Sequence, residues 1–254
     1  MDHVLISTGL TVLAVVFGGA LLGMLAGQVL PAHHLNSETR SAVTVSMAVL
    51  GTLSALVIGL LISNASSTFA TRSQEVTQIS ADMIQLDRLL RRYGPETQEI
   101  RELLRHYAST KLQDLFPVDP SQVVVDNEVT VVMLEAMQDR LLALTPSDEG
   151  RHWLRAQALR LTGAMSQARW LLVQQNAASI PFAFLVLMVF WLSVAFTSYG
   201  LFAPRNMTAI VALFLCAVAV SGAVMMILDM ETPFEGVIRI SSIPMRHAVE
   251  AISH

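Results

Sequence analysis

Four groups of side chains in this 254-residue chain have types and spacings that could do chemistry. Asp229-Met-Glu231-Thr-Pro233-Phe234-Glu235-Gly236 sets three carboxylates within seven residues of a turn that proline and glycine fix. Such a turn could clasp a hard cation, but calcium takes six or more oxygens, so a turn cap is the plainer reading. Ser63, Asn64, Ser67, Thr68 and Thr71 cluster at the end of an apolar run, and positions 64, 67, 68 and 71 share one helical face. They could hydrogen-bond a dehydrating anion, or form the polar interface of a helix leaving a membrane. Glu102 and His106 stand four apart on a helix face, where two ligands are too few for a metal and a surface pair accounts for them. His33 and His34 adjoin in a loop and could sense pH. The lone Cys216 sits among Leu213, Phe214, Leu215 and Ala217 and reads as a small apolar filler.

Other chemistries have no footing. There is no HExxH, phosphate-cradling glycine loop, GxSxG or calcium-loop motif, so the chain is expected to be no enzyme and to need no cofactor or metal. A net charge of −4, with no large basic excess, excludes nucleic acid as a partner. At 53% apolar and 14% charged residues, the composition is that of a membrane protein.

Four uncharged segments are long enough to cross a bilayer as helices: residues 4–30, 41–63, 181–201 and 206–228. The first lacks a basic opening and is too long for a signal peptide, so it reads as a retained anchor. Residues 64–179 carry twelve of the sixteen basic and fourteen of the twenty acidic residues, whereas the two short loops carry one arginine each, Arg40 and Arg205. The positive-inside rule then places both termini and the central region in the cytoplasm of a bacterial inner membrane. The expected divisions are a hairpin over 1–63, a helical stalk bundle over 64–179, a second hairpin over 180–229 and a turn with a short amphipathic segment over 230–254. With no charge or internal proline in the spans, and no inverted repeat, ion-coupled transport is disfavoured. Gly19, Gly23 and Gly27 in span one, and Gly51, Ala55, Gly59 and Ser63 in span two, recur every fourth residue and allow close helix packing. Packing within the first hairpin is the simplest use of that pattern, a pore or subunit seam the alternative. Trp170, Trp191 and Tyr199 read as interfacial or packing aromatics.

No proline falls between Ala32 and Gly94, so span two can run on as one helix; from residue 41 to 93 it would measure roughly 80 Å. Its outer half carries Phe69, Val76, Ile79, Met83, Leu86, Leu90 and Tyr93 in steps of 7, 3, 4, 3, 4 and 3, a stripe that needs a helical partner. Gly94-Pro95 stops and restarts the chain. A second helix follows with Ile100, Leu103, Leu104, Tyr107, Leu112, Leu115 and Phe116. Asp119-Pro120 is expected to open a third through Val125, Val129, Val132, Met133, Met137, Leu141 and Leu144. Thr145-Pro146-Ser147-Asp148 is expected to open a fourth, Asp148 answering Thr145 as in a capping box. Arg88, Arg91 and Arg92 beside Asp82 and Asp87 read as a solvated face. The predicted fold is all-α: four transmembrane helices with a cytoplasmic helical bundle built partly from extensions of spans two and three.

This layout, ending in Leu228-Asp229-Met-Glu-Thr-Pro233-Phe234-Glu-Gly236-Val-Ile-Arg239-Ile, resembles the bacterial bestrophin-like family of membrane proteins over nearly the whole chain. Bestrophins proper are pentameric anion channels whose long second helix lines a pore with an apolar neck. The resemblance implies Leu56, Leu60, Asn64, Ser67 and Thr71 as pore-lining positions, a homo-oligomer, and an inorganic anion such as chloride as the permeant partner within the lipid bilayer. The acidic run after Pro233-Phe234 is reduced here to Glu235 and Gly236, so calcium gating is not implied. The expected function is an oligomeric, anion-conducting channel; the alternative is a non-conducting structural or signalling protein acting through its stalk.

Overall fold

The computed structural model describes residues 2–31, 36–177 and 182–253, and among them all regular structure is helical. The α-helices are α1 (Asp2–Val29), α2 (Ser37–Tyr93), α3 (Gln98–Leu115), α4 (Glu128–Ala143), α5 (Glu149–Ala177), α6 (Phe182–Phe202), α7 (Met207–Glu231) and α8 (Ile243–Ser253). Of these, α1, α2, α6 and α7 are long and apolar enough to cross a membrane. His33 and His34, and Pro181 at the expected start of span three, lie outside the described residues. The chain divides into two compact units, Met1–Thr68 with Ile180–Thr232 and Phe69–Ser179 with Pro233–His254. The division falls inside α2, which stays helical throughout its 57 residues.

In the first unit α1 packs against both α6 and α7, around Val16, Ala20, Met188, Leu192, Ala217 and Val224. Apolar side chains alone do not hold helices together in lipid, so the approach depends on small residues and on hydrogen bonds between helices. Both are present. A methyl group on Gly23 would overlap the carbonyl of Thr197, and one on Gly200 would overlap the carbonyl of Ala20, so α1 and α6 meet backbone to backbone. Ser221 on α7 donates to the carbonyl of Gly9 on α1 at 2.6 Å. The glycine stripe of span one therefore serves α6, not span two as expected from the hairpin. On α2, Gly51 faces the Tyr199 hydroxyl, Ala55 is exposed and Gly59 borders open space. Cys216 is exposed rather than a filler, because it stands to one side of the α7 face that carries Ala217 and Val224 into the core.

The second unit closes around the α2 stripe. Val76, Ile79, Met83 and Leu86 are wholly buried with Ile100, Leu104 and Tyr107 of α3 and Met137 and Leu141 of α4. Each such aliphatic side chain contributes about 1.5–3 kcal/mol of burial. Gly94 ends α2 at φ 135°, a conformation that L side chains rarely adopt. The Thr97 hydroxyl donates to the Leu90 carbonyl at 2.7 Å, closing the helix end so that α3 can turn back along it.

Two helix starts differ from expectation. Asp119-Pro120 opens only a 3-10 turn, Pro120–Gln122, and α4 begins after Asn127, whose side chain accepts from the Val129 amide at 2.9 Å. Asn127 is held for this by donating to both oxygens of Asp114. At α5 the cap is Asp148 itself, accepting from the Arg151 amide at 2.9 Å, with no part for Thr145. On α4 itself Val129 and Val132 are exposed, and Thr130, Leu134, Met137 and Leu141 face inward.

Candidate functional site

Along α2 the side chains sort into two faces. Ser54, Ile58, Leu61 and Ala65 turn toward the first unit's own helices, and the same face continues as the buried stripe of the second unit. The opposite face carries Val45, Val49, Leu56 and Leu60, all more than half exposed, and then Asn64, Ser67 and Thr71, also exposed. One helical surface thus passes from branched apolar side chains to amides and hydroxyls. Only 6% of the most apolar stretch of α2 is buried within the chain, against 22–33% for the other three spans. A helix this apolar and this uncovered is stable only against lipid or against other protein.

The tail turn follows the end of α7. Asp229 is buried near the end of α7, and its carbonyl accepts from the Thr232 amide at 3.2 Å. Phe234 is buried, its ring edge-on to Phe116 at 5.9 Å, and the Ile240 amide donates to the Pro233 carbonyl at 2.9 Å. Arg239 donates to the Gly236 carbonyl, and Glu235 is half-buried. Pro233, Phe234 and Gly236 thus shape and anchor a turn. Glu102 accepts from Gln98 at 3.2 Å, and with His106 it borders a shallow depression also lined by Glu99 and Arg140. Among the described residues no three His, Cys, Asp or Glu side chains come together as a metal site.

Three buried charged side chains escaped the sequence reading. Asp87 is not solvated: it is 3% exposed and accepts from Arg91 at 2.7 Å and from Arg101 of α3 at 2.9 Å, tying α2 to α3. Asp82 is buried as well, and that burial raises its carboxyl above the ordinary range against the hydrogen bond from Gln78. Lys111, the chain's single lysine, is wholly buried on α3 and donates to the Val125 carbonyl at 2.8 Å. Burial pulls its ammonium down to about 8; Asp114 and Asp126 act against that fall, and Arg169 adds to it. Tyr107, one turn earlier, is pushed up to about 12, again by burial first. Arg169 pairs with Asp126 at the edge of this cluster. The signal for Lys111 was its position: 104, 107, 108, 111 and 115 form one inward face of α3.

The fold and this face define an all-helical membrane protein with four spans and a helical bundle. The chain belongs to the Bestrophin-like domain family, whose model matches residues 14–245. Among solved structures it is similar to a bacterial bestrophin homolog from Klebsiella pneumoniae carrying a point substitution, at 12% identity and a TM-score of 0.69, over 93% of this chain and 97% of that one. A second substituted form of that homolog matches at 14% identity and a TM-score of 0.62, over 82% and 83%. A structure described as a membrane protein matches at 13% identity and a TM-score of 0.68, over 98% of this chain and all of the other. Among curated proteins none matches.

Proposed function

We propose that this protein is the subunit of an oligomeric ion channel that conducts anions such as chloride along the exposed face of α2. The observation that carries this reading is the uncovered surface running from Leu56 and Leu60 to Asn64, Ser67 and Thr71 on the least buried of the four spans. Several copies brought together through α2 would cover its apolar flanks and leave that face around a common axis. Leu56 and Leu60 would then form an apolar constriction, and the amide and hydroxyls beyond it would offer dipoles to an ion leaving its hydration shell. No formal charge is needed, and none is present in the spans. Family membership and the bestrophin homolog fold support the reading. In this arrangement the charge-rich residues 64–179 and both termini face the cytoplasm, as the distribution of arginine suggests.

The test is flux through the purified protein in liposomes under chloride and potassium gradients, beside empty vesicles. Protein-dependent chloride flux is expected, and Leu60→Glu or Asn64→Asp in a folded oligomer should change its size or selectivity. Unchanged flux in both variants would reject these positions as pore-lining. Silence from the folded wild-type oligomer, with the gate shown to be open, would favour a non-conducting protein that acts through its stalk.

A further inference from the structure

Within the first unit, the start of α2 and the end of α6 border a pocket of about 210 Å³. Its polar lining is Arg40, Thr44, Ser198 and Tyr199, and Met47 and Phe202 supply apolar wall. The Tyr199 hydroxyl donates to the Met47 carbonyl at 3.3 Å and so fixes one side. Among the described residues no carboxylate pairs with Arg40.

The level of the pocket matters. The uncharged stretch of α2 begins at residue 41 and that of α6 ends near residue 201, so the guanidinium stands where hydrocarbon gives way to headgroups. Below it, Leu187 and Val194 of α6 are exposed, giving apolar surface on that helix toward the bilayer centre. An unpaired arginine fork beside two small hydroxyls, above an apolar track, has the donor geometry for a phosphate ester attached to acyl chains.

We propose that this pocket binds the phosphodiester headgroup of a glycerophospholipid, with Arg40 as its cation and Thr44 and Ser198 as hydroxyl donors. The site depends on the protein being in a membrane and not on conduction, so it stands or falls apart from the channel reading. Native mass spectrometry of the delipidated full chain, titrated with dioleoyl phosphatidylglycerol, tests it. The first bound lipid is expected to weaken about tenfold in Arg40→Gln, the loss of roughly one charge-assisted hydrogen bond. Ala203→Leu, which fills the pocket without touching the charge, should weaken it comparably, and dioleoylglycerol, which lacks the phosphate, should not be retained. Equal affinity in wild type and both variants would overturn the proposal. So would retention of dioleoylglycerol as strong as that of the phospholipid, or displacement of the lipid by millimolar inorganic phosphate.

Discussion

Lys111 shows how a single residue can set the pH response of the bundle. Its native ammonium loses its proton near pH 8, whereas an unfolded lysine does so near 10.5. Between those values the unfolded chain holds more protons, so raising the pH stabilises the fold. Tyr107 works in the opposite sense higher up: its native hydroxyl ionises near 12 against an ordinary 10, so its contribution is lost as pH rises through that range. Thermal unfolding midpoints should therefore climb from pH 8 toward pH 10, and Lys111→Met should abolish that climb. The same climb in the variant would remove Lys111 as its source. Position 111 falls on the inward face of α3, yet type-based reasoning assigns charged residues to the surface. Asp82 and Asp87 were misjudged for the same reason. What decides their burial is the partner helix, since Arg101 comes from α3, fourteen residues on.

At the scale of elements, the contact between α1 and α6 rests on missing side chains. Gly23→Ala would force its methyl against the Thr197 carbonyl, and because that obstacle is backbone the helices must part, at a cost of about 1–3 kcal/mol. Gly59→Ala meets open space within the chain and should cost nothing in thermal stability. Equal losses from the two substitutions would contradict the packing described. Element existence was legible because apolar runs and the 3.6-residue period are local properties. The stripe on α2 and the stop at Gly94-Pro95 were read directly. Partner choice was not: the small residues of span one announce close packing without saying against which helix. The starts of α4 and α5 also lay beyond local pattern, because Asn127 caps α4 while anchored to Asp114 on the preceding helix.

For the whole molecule, the family and the four-span helical architecture were readable from the hydropathy pattern and the Pro-Phe turn, whose aromatic ring the fold then uses as a core residue. The face proposed to line a pore was named from resemblance; in the chain it is exposed. One further property follows from the buried lysine. It is the chain's single lysine, so the folded protein offers no lysine amine to solvent. Acylating reagents that seek ε-amines should leave Lys111 untouched in the native state and modify it only when the bundle opens. Peptide mapping after pulsed acylation would then convert one residue into a clock for opening of the charged bundle, read without any engineered label; rapid modification in native protein would show that the bundle opens readily or that Lys111 is not sequestered.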